Sequence, residues 1–101
     1  MKIYNLLGRS GRAVPNQFVV ENNQTIIFQS YESICAIYYK NTKKLAFGED
    51  WDYSRTTVKY LHQFLDEYVP LPYHNKSTKE LRKMVSDGVI EYYPNRDMMA
   101  L

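Results

Sequence analysis

The hydrophobic period of this chain changes once. Up to about residue 47, short runs rich in β-branched and aromatic residues alternate with turn residues. From Val58 onward, apolar residues return at helical spacings. A chain that lays down strands first and helices afterwards is confined to an α+β arrangement, an antiparallel sheet with helices packed on one face. With 101 residues there is material for one domain and one modest core.

The strand half divides at its turn residues. Met1 to Leu7 reads as a short strand or extended arm. It is followed by the flexible basic turn Gly8-Arg9-Ser10-Gly11-Arg12, and an irregular stretch closes at Pro15 and Asn16. Gln17 to Glu21 and Thr25 to Gln29 flank Asn22-Asn23 and read as a hairpin. Ser33 to Lys40 is the most apolar run, and its Ile and Tyr content favours a central strand over a helix. Lys44 to Phe47 returns from the turn at Asn41-Thr42-Lys43. The expected sheet therefore has about four to five strands.

In the helical half, Val58, Leu61, Phe64, Leu65 and Tyr68 share one stripe, with Asp52 or Ser54 as the N-cap. Pro70 and Pro72 end this helix. Ser77-Thr78-Lys79-Glu80 is a capping box, and it opens a second helix with Leu81, Met84 and Val85 on its apolar side. Gly88 suits a left-handed stop, and Val89 to Tyr93 adds a last edge strand. The expected domain covers 1–94, and 95–101 is read as a flexible tail. The strands near 43–47 or 89–93 are candidate sheet edges, where a second copy could pair, so a homodimer is the favoured oligomer.

Composition excludes several classes. One Cys rules out an internal disulfide framework and any Cys-based zinc site. No apolar run approaches the ~20 residues that span a bilayer, so no membrane partner is expected. No long apolar segment follows the start of the chain, so no signal peptide is expected. The first 50 residues carry six basic and four acidic groups and the remaining 51 carry seven of each, too even a balance for a dedicated duplex-DNA binder. Ten of the fifteen aromatic residues are Tyr. A core of this size cannot bury ten phenols with their hydroxyls paired, so some must face solvent, where Tyr is efficient contact area.

Catalytic sets are thin. Cys35 sits among Ile34, Ala36 and Ile37 and reads as an inert core thiol. His62 and Asp66, four residues apart, read as a surface pair. Glu49, Asp50 and Asp52 read as acids drawn to a helix start rather than as metal ligands. No nucleotide-binding glycine motif is present, although Arg9 and Arg12 could hold a phosphate against the basic turn. No enzyme, cofactor or metal is expected on these grounds.

The stretch Trp51-Asp52-Tyr53-Ser54-Arg55-Thr56-Thr57-Val58-Lys59-Tyr60 exceeds what folding requires. It holds the only Trp, and it places Arg55, Thr56 and Lys59 on the first turns of a helix, where free N–H groups favour an anion. Tyr53 and Tyr60 add stacking faces. Candidate binding residues are thus Arg9, Arg12, Trp51, Tyr53, Arg55, Thr56, Lys59 and Tyr60.

Asn16-Gln17-Phe18, Phe28-Gln29-Ser30-Tyr31 with Ser33-Ile34, Trp51 through Thr57, Lys59-Tyr60 and Phe64-Leu65 together form a recognisable pattern. Over residues 14–66 the chain resembles a family of small uncharacterised proteins encoded by bacteriophages and prophages of gut and lactic bacteria. The resemblance departs at Leu61-His62 and loosens after Pro70. It implies a viral origin and the cytoplasm of an infected bacterial host as the location. No activity comes with it. The functional expectation is a non-catalytic inhibitor of a host protein, such as an anti-CRISPR or other anti-defence factor. The alternatives are a single-stranded nucleic-acid-binding accessory protein and a sponge for a nucleotide signal.

Overall fold

In the computed structural model, which describes residues 1–93, the strands β1 (Lys2–Leu7), β2 (Ala13–Glu21), β3 (Thr25–Ser30), β4 (Ser33–Tyr39) and β5 (Lys44–Gly48) come first. The helices α1 (Arg55–Tyr68) and α2 (Thr78–Ser86) follow, and β6 (Glu91–Tyr93) closes the series. The tail expected over 95–101 lies outside the described residues. The sheet has six strands in the order of the chain, β1-β2-β3-β4-β5-β6. Neighbours are antiparallel up to β5, and β5 and β6 are parallel. The α+β class holds, with one more strand than the sequence suggested. The parallel pair arises because the chain travels back over the sheet through both helices before β6, and parallel pairing needs such a crossover.

Two expectations are refined here. Pro15 and Asn16 fall within the span of β2, but the irregularity expected there is present: the β1–β2 register shifts between the pairs Asn5–Phe18 and Leu7–Ala13, and Asn16 takes φ +65°. They lie beyond the last β2–β3 pair, Gln17 opposite Ser30, and the carbonyl of Asn16 accepts from the backbone N–H of Tyr31 at 2.7 Å. The 43–47 strand is not an edge: β6 covers β5, and the free edges among the described residues are β1 and β6. The Asn22-Asn23 hairpin stands as expected, with the Asn22 side chain accepting from the N–H groups of Gln24 and Thr25.

The helices cover one face of the sheet. Leu6, Val19, Phe28, Leu45 and Phe47 meet Leu61, Phe64 and Leu65 of α1 and Leu81 of α2 in the main core. Phe28 stacks on Phe64 with ring centroids 5.5 Å apart. Each such side chain withdrawn from water contributes about 1.5–3 kcal/mol. Both helix starts follow local rules. Ser54 caps α1, and Ser77 with Glu80 forms the reciprocal capping box of α2. Gly88 takes φ +80°, the left-handed stop.

The opposite face is also apolar. The register aligns Ile3, Val20, Ile27, Ile37 and Ala46 in one cross-strand row that ends at Glu91. Ile37 and Ala46 are buried there, with Ile27, Ile34, Tyr39 and Tyr93 around them. This is why the β4 run lacks alternation: its residues are wanted on both sides.

A candidate binding surface at the start of the first helix

Two tight turns aim the chain from β5 into α1. The N–H of Trp51 donates to the Gly48 carbonyl at 3.2 Å, and that of Tyr53 to the Asp50 carbonyl at 3.1 Å. Ser54 then caps: it is extended (φ −146°, ψ 165°), and its Oγ accepts from the Thr57 N–H at 3.1 Å. Thr57 is not a free hydroxyl. It is buried, with Oγ1 3.0 Å from Ser30 Oγ and 3.2 Å from Ser54 Oγ, so three hydroxyls pin the start of α1 to the end of β3. Thr57 takes the inward place that the sequence stripe assigned to Val58. A stripe is set by where the neighbouring strand ends, not by polarity alone.

The acidic cluster before the helix is placed differently from expectation. The first turn of α1 contains no acidic residue. Asp50 Oδ2 accepts from Ser33 Oγ at 2.7 Å, and Asp52 Oδ2 pairs with Arg82 of α2 at 3.2 Å. These carboxylates serve the turn and α2, and Asp52 stays beside Ser54 and Arg55 at the helix start.

Two clefts flank this point, and Tyr53 lines both. The first, about 560 Å3, is bordered by Tyr31, Glu32, Ser33, Asp50, Tyr53 and Thr57, with Asn16, Ser30 and Cys35 completing it. The second, about 540 Å3, is bordered by Arg55, Lys59 and Arg82 together with Asp52, Val58 and Thr78. One side of Tyr53 is therefore acidic and the other basic. Tyr53 itself is 81% exposed.

Of the residues expected to bind, Tyr53, Arg55, Thr56 and Lys59 are exposed at this surface. Tyr60 is half-buried against the core, and Lys59 Nζ sits 5.2 Å from its ring centroid. Trp51 packs against Phe47 at the end of β5 with centroids 4.9 Å apart and is only 5% exposed, so it offers no open contact face. The Arg82 guanidinium sits 5.7 Å from its ring centroid, so Arg82 is what that position offers to solvent. Arg9 and Arg12 are exposed on the β1–β2 turn and line neither cleft. That turn is ordered rather than slack. Gly8 N–H donates to the Arg12 carbonyl and Gly11 N–H to the Gly8 carbonyl, so these two amides are spent within the turn.

Sequence reasoning missed Tyr31, Glu32, Ser33 and Arg82 as surface residues, and Ser30 and Gln17 as buried polar ones. A signal existed for the last two. Ser30 follows Ile26 and Phe28 at period two, and Gln17 precedes Val19, so both fall on inward positions. Arg82 had no such signal, because only the placement of α2 brings it over Trp51.

The residues with catalytic potential are otherwise engaged. Cys35 Sγ lies 3.6 Å from the Ser33 carbonyl and 3.7 Å from that of Asp50, and burial pushes its thiol up to about 12. His62 does not pair with Asp66. Its Nε2 is 3.2 Å from Thr78 Oγ1, while Asp66 accepts from the Asn75 N–H. Burial lowers the pKa of His62, against a smaller opposing pull from the Asp66 charge. His74 Nε2 meets the Val69 carbonyl. Among the described residues no three His, Cys, Asp or Glu side chains are grouped to hold a metal ion, and no helix is long and apolar enough to cross a membrane.

No curated protein and no solved structure matches the chain. A family model does, over residues 1–87, which includes both clefts and every strand but the last: the chain belongs to DUF8033, a family of unknown function.

Proposed function

We propose that the protein is a binding protein without chemistry of its own, an inhibitor that occupies a surface of a host protein across the start of α1. The viral origin implied by the sequence resemblance belongs to the same proposal. The observation that carries it is Tyr53. This large aromatic is 81% exposed and stands between two clefts of opposite charge. A folding role does not require it there, and aromatic residues with flanking charge are what protein partners use as anchors. The structural engagement of Cys35, His62 and His74 supports a role without catalysis.

A second reading has one specific observation behind it. Arg55, Lys59 and Arg82 open to one cleft beside Tyr53, an arrangement suited to a single nucleic-acid strand. The acidic cleft on the other side of Tyr53 works against a polyanion, which places a protein partner first.

The test has two arms. Mobility shift and thermal melting with single-stranded DNA, duplex DNA and RNA are run at about 50 and 200 mM salt. Tagged wild type and Tyr53→Ala are incubated with bacterial lysate, and complexes are resolved by size and identified. A stoichiometric complex that survives the higher salt and is lost in Tyr53→Ala supports the inhibitor reading. Nucleic-acid binding that falls steeply with salt, with no such complex, overturns it in favour of the strand binder.

A further inference from the structure

We propose that the sheet face opposite the helices is covered by the same face of a second copy of this chain, giving a two-fold dimer in which two sheets pack on each other. The proposal is independent of the reading of the Tyr53 surface.

The face is apolar where such a face is ordinarily polar. An antiparallel sheet with helices on one side commonly turns polar residues to water on the other. Here the register turns Ile3, Phe18, Val20, Ile27, Ile34 and Tyr39 to that side, around the buried Ile37 and Ala46. Ile3, on the outermost strand, is 66% exposed. A continuous apolar patch of this extent marks a contact surface.

The face also states what its occupant offers. Along the described strands its only charged side chains are Lys44 and Glu91, which lie 3.9 Å apart. This internal balance neither repels an identical face nor selects a partner of one sign. The polar groups are satisfied within the chain. Asn5 donates to the Val14 carbonyl at 2.9 Å, Gln29 Nε2 to the Tyr31 carbonyl at 2.8 Å, and the Tyr93 hydroxyl to the Glu91 carboxylate at 3.0 Å. The occupant is thus asked for apolar area, without charge or hydrogen bonds, and the chain's own face is a surface of that kind. Isologous two-fold pairing is the commonest oligomeric arrangement, and sheets pack face to face at about 10 Å.

The size agrees. Six strands of about 20 Å at about 4.8 Å spacing present roughly 600 Å2 in projection. Two such faces together remove about 1,200 Å2 from water, the lower end of specific, stable interfaces. The helices lie on the other side of the sheet, so this pairing leaves them uncovered.

The experiment is sedimentation equilibrium of the full chain between about 1 μM and about 1 mM. The mass is expected to rise from one chain to two and to stop there. Ile27→Lys at mid-face and Ile3→Lys at the exposed end are each expected to weaken the dimer about tenfold to a hundredfold, and Tyr53→Ala to leave it unchanged. Trp51 fluorescence checks that each variant is folded. Wild-type chains, isotope-labelled and unlabelled, are also mixed, and NOEs between copies are expected to join the methyl groups of Val20, Ile27 and Ile37. A single-chain mass over the whole range overturns the proposal. So does a dimer that both Lys variants leave intact, or one whose intermolecular NOEs are confined to the β1 edge. A monomer with NOEs from Met98 or Met99 to Ile27 overturns it as well, with the chain's own end as the occupant.

Discussion

Replacing Gln17 by Met should make the protein more stable. Gln17 is fully buried on the core side of β2, and neither Nε2 nor Oε1 has a partner. Burying such an amide unsatisfied costs about 1–3 kcal/mol by the scale of core mutations, and a thioether of nearly the same shape removes that cost without opening a cavity. The expected gain is about 1–3 kcal/mol. At about 4–8 °C per kcal/mol for a domain of this length, Tm should rise by at least about 4 °C. In urea, with m near ~1.5 kcal/mol/M, a gain of about 1.5 kcal/mol moves the midpoint up by about 1 M at unchanged m. Trp51 is the only Trp and is buried against Phe47, so its fluorescence reports unfolding directly. Loss of more than about 1 kcal/mol in Gln17→Met would refute the reasoning, because it would mean that the carboxamide is satisfied in the native state.

Three other outcomes follow from the same geometry. Thr57→Val should cost about 1–3 kcal/mol in a denaturant titration, because it leaves the buried Ser30 hydroxyl without its partner and removes the acceptor of the Ser54 hydroxyl, which keeps only its cap bond from the Thr57 N–H, whereas Thr57→Ser should cost less. Cys35 should resist a thiol-specific reagent at pH 8 until urea unfolds the chain, since the thiol is buried and its pKa is pushed up to about 12; fast native-state labelling would contradict this. His62 has its pKa lowered below 6.5 by burial, so the unfolded state binds the proton more readily. Stability should therefore be full above about pH 6.5 and fall as pH drops toward the folded-state pKa. In His62→Gln that decline should flatten in melting curves taken between about pH 7 and 5.

Much of the scaffold was determined by the sequence alone, because each signal is local. The change of period near residue 50 separates sheet from helices. The Asn22-Asn23 hairpin, the capping box at Ser77 and the stop at Gly88 rest on hydrogen bonds between residues at most a few positions apart. Tyr53, Arg55 and Lys59 were legible as surface residues because a helix start exposes its first turns whatever it packs against. Tertiary structure alone decided the rest. Trp51 reads as a contact residue until β5 and α2 close over it. Thr57 is drawn inward because β3 ends beside it. Arg82 gains its place only when α2 lies across Trp51. The parallel β5–β6 pair hides an edge that the strand sequence leaves open. The acidic cleft unites β2, the β3–β4 turn and the start of α1, segments up to about 40 residues apart in the chain. Periodicity shows which face a residue takes within its own element. It carries no information on which other element's residues arrive opposite that face, and a binding site is made of such arrivals.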